Sequence, residues 1–172
     1  VKQFEKISLL IAEKLALTGI MDVEIIEHEG SLKVLEIDAR LPSQTPAAVF
    51  WSTGINMVAL LSQLYLKGKI KTKPEMDPPR FVIYEHLSVS KEKIEVAGEH
   101  IMSRAGPLTC YQNFFGADEA ITNYHPGRKS WVATMIYAGN DTNAVQQKRE
   151  TTLENIRRKH NGAPVRDIVP AV

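Results

Sequence analysis

Residues 22–46 read Asp22-Val-Glu-Ile-Ile-Glu-His-Glu-Gly-Ser-Leu-Lys-Val-Leu-Glu-Ile-Asp-Ala-Arg-Leu-Pro-Ser-Gln-Thr-Pro46, and the fold is decided there. Two short runs rich in Val and Ile flank Glu29-Gly30, which is a β-hairpin signal. Successive side chains of a strand leave opposite faces, so Glu36 and Asp38 share one face. Setting Glu24 opposite Glu36 also sets Asp22 against Asp38 and Ile26 against Val34. The other face then pairs Val23 with Ile37, Ile25 with Leu35 and Glu27 with Lys33. One face is apolar and ends in an ion pair; the other gathers four carboxylates. A slip of one residue would mix the faces, and patterns of this kind pin register. This register requires a loop with an odd number of residues, such as Glu29-Gly30-Ser31, with Gly30 or a neighbour at positive φ.

Like charges directly opposite across a ladder are destabilising. Two readings account for the acids. Either the face is simply solvated, or it holds a divalent cation through oxygen ligands. Glu24, Glu36 and Asp38 are then the candidate metal ligands. Arg40 stands two residues beyond Asp38, on the same face if the strand stays extended. Its guanidinium either pairs with one of these acids or meets a phosphate oxygen.

Three segments carry a family resemblance. They are Met21-Asp-Val-Glu24, the strand Val34-Leu-Glu-Ile-Asp-Ala-Arg40, and the helix junction Ser52-Thr-Gly-Ile-Asn-Met-Val58. Together they resemble the end of an ATP-grasp ligase domain. The usual family pattern is Glu-x-Asn-x-Arg, and here Asp38 stands where Asn is usual. That keeps an oxygen ligand and adds a negative charge. The run Asp38 to Pro46 and the segment Tyr137-Ala-Gly-Asn-Asp-Thr-Asn-Ala144 narrow the resemblance to the branch that serves pyrrolysine biosynthesis.

The resemblance implies an α+β fold. Residues 1–72 would be the C-terminal part of an ATP-grasp domain, an antiparallel sheet with packed helices. Residues 73–172 would be a small strand-rich domain ending in a helix. It implies an ATP-dependent ligase that forms a carbon–nitrogen bond through an acyl phosphate, joining 3-methylornithine to the side-chain amine of lysine. ATP and Mg2+ would be the cofactors. Glu24, Glu36 and Asp38 would hold one or two magnesium ions, and Arg40 would bind the transferred phosphate. Ser43 and Gln44 would orient the amino-acid substrate. The nucleotide-binding lysines and glycine-containing loop of such enzymes precede the part matched here, and this chain has no glycine-rich phosphate loop. Other readings are a different ATP-grasp ligase or carboxylase of purine or amino-acid metabolism, a metal-dependent phosphohydrolase, or a non-enzymatic metal-binding or interaction domain.

The 172 residues are 44% hydrophobic and 24% charged, ordinary for a globular chain with a real core. A net charge of +1 gives no argument for nucleic acid or a membrane surface; small amino-acid substrates are the partners that the resemblance implies. The single Cys110 cannot form an internal disulfide and suits a reducing compartment, so a cytoplasmic location and a buried free thiol are expected. No signal peptide or spanning apolar run is visible.

Phe4, Ile7, Leu10, Ile11 and Leu15 give helical spacing over residues 1–17. That helix opens without a capping signal, so the chain reads as the middle of a longer protein, with an N-terminal part missing. A helix is expected over Ala47 to Ser52, with Phe50 and Trp51 in the core. A second is expected from an Asn56 cap to Lys67, with Gly68 past its end and Met57, Leu60, Leu61, Leu64 and Tyr65 inward. Lys69 to Arg80, basic and holding three prolines, reads as a linker. Strands are expected over 81–87, 94–96, 108–111, 120–124 and 131–137, with a short helix over 98–104. A last helix over 143–160 should follow an Asn140-Asp141-Thr142 cap, with Val145, Leu153 and Ile156 inward. The tail from Asn161 is expected to be irregular. His86, His100 and His125 show no metal-ligand spacing, and the basic turn 125–129 reads as a solvated hairpin tip.

Overall fold

The structure, a computed structural model, describes residues 2–70 and 78–167. The chain divides into two units, Val1–Asp77 and Pro78–Val172. The architecture is α+β, with an antiparallel hairpin in the first unit and a mainly antiparallel sheet in the second. Most of the expected linker and the last residues of the tail, 71–77 and 168–172, lie outside the described residues.

The first unit contains helix α1 (Lys2–Lys14), strands β1 (Asp22–His28) and β2 (Ser31–Asp38), and helices α2 (Thr45–Thr53) and α3 (Met57–Lys67). Local chemistry sets the helix ends. Pro46 lies in the first turn of α2, where a missing N–H costs nothing. Gly54 ends α2 in the left-handed region at φ 75°, donating its N–H to Phe50 O at 2.8 Å. Two residues later Asn56 caps α3 by accepting from the Ala59 N–H at 2.9 Å. Gly68 closes α3 at φ 69°.

This unit closes no hydrophobic core among its described residues. Only Pro42 is buried. The expected core positions Phe50 and Tyr65 are 49% and 70% exposed, and no residue of α1, α2 or α3 is fully buried. The physical reason is architectural. A two-stranded hairpin offers one narrow face, too little to cover the apolar stripes of three helices. No single described helix is long and apolar enough to cross a membrane.

The second unit is a six-stranded sheet in the order β5-β6-β7-β3-β4-β8. Its strands are β3 (Phe81–Val89), β4 (Ile94–Ala97), β5 (Thr109–Phe114), β6 (Ala117–Thr122), β7 (Trp131–Gly139) and β8 (Val165–Asp167). All neighbours are antiparallel except β4 and β8. A 3-10 turn, Glu99–Ile101, replaces the expected helix over 98–104. Helix α4 (Thr142–Lys159) packs on the sheet, capped by Asp141, whose carboxylate accepts from the Ala144 N–H at 2.7 Å. Val145, Leu153 and Ile156 of α4 face Leu87, Ile94, Met135 and Tyr137 in the core. The tail is not irregular throughout, because β8 adds to the edge of β4 and satisfies part of its open ladder. Cys110 is exposed rather than buried, because it lies on the opposite sheet edge, β5.

Candidate functional site

The hairpin register begins as its sequence pattern requires. Asp22 pairs with Asp38, Val23 with Ile37 and Glu24 with Glu36. The ladder then shifts by one residue: Ile25 pairs with Val34, Ile26 with Lys33, Glu27 with Leu32 and His28 with Ser31. Leu35 is the extra residue of a β-bulge, 63% exposed. The expected pairs Ile26–Val34, Ile25–Leu35 and Glu27–Lys33 therefore do not form. The loop has an even count, Glu29-Gly30, with both residues at positive φ, 52° and 72°. That is the pattern of the tight hairpin turn whose twist matches its strands. The bulge supplies the odd residue that the loop was expected to supply.

The bulge has a physical reason in the pattern of β2. Its apolar residues fall on even positions at Leu32 and Val34, then on odd positions at Leu35 and Ile37. A regular strand would send one of those pairs to the acidic face. With the bulge, Leu32, Val34 and Ile37 all lie on the face of Val23 and Ile25, and Lys33 moves to the acidic face opposite Ile26. Lys33 is thus a member of this face that the regular register missed. The even-to-odd switch between Val34 and Leu35 is the signal that could have found it.

The acidic face holds Glu24 beside Glu36 and Asp22 beside Asp38. Side chains directly opposite carry their Cβ atoms about 5 Å apart, within reach of one small cation. Glu24 and Glu36 are exposed, and Asp38 is half-buried. Arg40 donates from Nη2 to Asp38 Oδ2 at 2.6 Å, so it is an ion-pair partner of that carboxylate. Ser43 is exposed on the loop that follows, and Gln44 is the residue at which α2 begins. Among the described residues no three His, Cys, Asp or Glu side chains converge on one point as a metal cage. Magnesium rarely needs such a cage: it takes one or two carboxylates, several waters and substrate phosphates. The Glu24–Glu36 pair fits that requirement, and its oxygens are hard donors suited to the ion.

Titration-shifted groups lie in the second unit. Glu85 is buried, and burial raises its pKa against the pull of Arg149, whose Nε donates to Glu85 Oε2 at 2.8 Å. Arg149 Nη2 also donates to Asp167 Oδ2 at 2.8 Å. Burial and the nearby Glu85 carboxylate push the Tyr137 hydroxyl up. Burial lowers His86, whose Nδ1 lies 2.9 Å from Thr134 Oγ1. Each is tied into the sheet core of that unit.

No protein-family model matches the chain. Over 163 residues, 93% of its length, it is 35% identical to the 3-methyl-D-ornithine–L-lysine ligase of Methanosarcina mazei. Over 153 residues, 87% of its length, it is 36% identical to the enzyme of that name from Methanosarcina acetivorans. The chain spans about two fifths of the length of these curated relatives, 42% and 40% respectively.

Proposed function

We propose that this chain is the C-terminal portion of an ATP-grasp ligase that joins 3-methylornithine to the side-chain amine of lysine in pyrrolysine biosynthesis. The observation that carries the reading is the Glu24–Glu36 pair, flanked by Asp38 and Arg40, on a chain related over nine-tenths of its length to ligases of that name.

Glu24, Glu36 and Asp38 would hold the magnesium ion. When bound, the ion neutralises charge on the transferring phosphoryl group. Arg40, anchored on Asp38 through Nη2, presents its remaining N–H donors to the γ-phosphate. Anchoring matters because positioned donors stabilise developing charge without reorganising. An oxygen of the 3-methylornithine carboxylate bonds to the γ-phosphorus as the bond to ADP breaks. The lysine side-chain amine then attacks the acyl carbon. Phosphate leaves with the electron pair, and the amine gives up a proton. Ser43 and Gln44 orient the amino-acid substrate at the mouth of this site. Pro42 and Pro46 restrict the loop, so less conformational freedom is lost on binding. The rest of the ligase supplies the nucleotide-binding lysines and lid, and packs on the exposed apolar residues of α1, α2 and α3. The site of action is the cytoplasm.

The full-length protein, given ATP, magnesium, lysine and a panel of ornithine-type acids, tests this. The expected result is ADP release that requires an ornithine-type acid, with a lysine-containing amide seen by mass. ADP release that instead requires bicarbonate or a phosphoribosylamine would move the protein to another ATP-grasp activity.

A further inference from the structure

In the second unit, the β6–β7 turn, the β3–β4 turn and the end of α4 line a concavity of about 230 Å³. Its lining includes Lys91, Arg128, Lys129, Lys159 and His160, and no carboxylate. Among the described residues, Lys91, Lys129 and Lys159 have no ion-pair partner. Lys159 by itself is explained by the end of α4, where a cation meets the negative pole of the helix. Lys91, Arg128 and Lys129 come from two separate turns and have no such explanation. Like charges within a Debye length repel, so their convergence costs stability unless an anion offsets it.

Arg128 is pre-set for that role. Its Nε donates to Ser130 O at 2.8 Å and its Nη1 to Asn123 O at 3.1 Å, which leaves the Nη2 donors unused among the described residues. Asn123 is itself fixed, donating to Ala105 O and accepting from the Val132 N–H. Trp131 Nε1 donates to His160 Nε2 at 3.1 Å, which puts the proton of a neutral imidazole on Nδ1 as a further donor. Burial and then the Lys159 charge lower the His160 pKa, which favours that neutral form.

We propose that this concavity binds a small phosphate-class anion through Arg128, Lys91, Lys129, Lys159 and His160. Shape and charge select that class. Donors arriving from three elements suit a tetrahedral, multiply charged group; a planar carboxylate is satisfied by one guanidinium fork. The volume lies below the roughly 300–1,000 Å³ of drug-sized sites, so the concavity takes a phosphate or pyrophosphate group, not a whole nucleotide. The proposal stands apart from the ligase reading and survives its failure.

Titration calorimetry of the full 172-residue chain with orthophosphate, pyrophosphate and ADP at low ionic strength tests it. Lys129→Gln with Lys159→Gln should weaken pyrophosphate binding by about tenfold or more, the scale of two charge-assisted bonds. Lys14→Gln with Lys67→Gln removes the same charge from the first unit and should leave the affinity within about twofold. ADP binding that falls in parallel would show that a nucleotide's terminal phosphate uses the same site; ADP that fails to bind would restrict it to free phosphates. No detectable pyrophosphate binding, or equal weakening by the two pairs of substitutions, would overturn the proposal.

Discussion

Glu24 and Glu36 face each other across the hairpin, and the arrangement costs stability unless a cation lies between them. In magnesium-free buffer, Glu36→Gln should therefore stabilise the ladder, by about 0.2–1 kcal/mol. Slower amide exchange across β1 and β2 is the readout. A buried ion pair in the second unit sets a pH-dependent prediction. Arg149→Ala leaves the Glu85 carboxylate, 9% exposed, without its guanidinium, a loss of about 3–5 kcal/mol at neutral pH. The sign follows from burial, which already raises the Glu85 pKa above the ordinary carboxylate range. A carboxyl whose folded pKa is raised binds its proton more tightly when folded. Stability then falls as pH rises from the unfolded value through the folded one. Removing Arg149 widens that window, so the deficit should be larger at pH 7 than at pH 5 in urea unfolding. A deficit that does not change with pH would show that Glu85 is not the group left uncompensated.

At the scale of elements, Gly116 joins β5 to β6 at φ 115°, and a Cβ there would meet Thr152 Oγ1 on α4 at 3.0 Å. Gly116→Ala combines backbone strain with that close approach. It should cost more than about 1 kcal/mol in thermal unfolding, whereas Gly106→Ala should show the strain without a close contact, since nothing lies within 4 Å of its Cβ. Local signals made most elements legible in the sequence. The Asn56 cap and Gly68 end of α3 stand where the chain's own chemistry puts them. Glu24 opposite Glu36 followed from the alternation of acids and aliphatics. The bulge at Leu35 escaped because the turn was expected to absorb the odd residue, although the parity switch in β2 carried the information. Strand β8 escaped because three exposed residues, Val165 to Asp167, have no alternation to read; pairing with β4 decides their state. Phe50 and Tyr65 were misjudged for the opposite reason. Apolar spacing shows which face wants cover, not whether the hairpin nearby is wide enough to provide it.

The two units differ in how they are held together. The second has a buried core centred on β7, with Trp131, Met135 and Tyr137 each no more than 2% exposed. The first has capped helices and a registered hairpin but only Pro42 buried among its described residues. The first should accordingly exchange its amides faster and unfold at lower denaturant than the second, giving two transitions rather than one. A single cooperative transition would contradict this division. The acidic face was legible in the sequence because like charges at a spacing of two are conspicuous. The chemistry proposed for it rests on family likeness, since spacing alone left a solvated face and a metal site equally open.

The central claim is that the Glu24–Glu36 face is the magnesium–phosphate site of an amide ligase. Its most direct test is the rate of amide formation by the full-length protein carrying Glu36→Gln, set beside Asp38→Asn. Glu36→Gln should lower kcat by orders of magnitude with the fold intact, because it removes a carboxylate on which charge neutralisation depends. Asp38→Asn, which introduces the residue usual in the resembling family, should be milder. Equal loss in both variants, or a Glu36→Gln enzyme with unchanged kcat and magnesium dependence, would contradict the account.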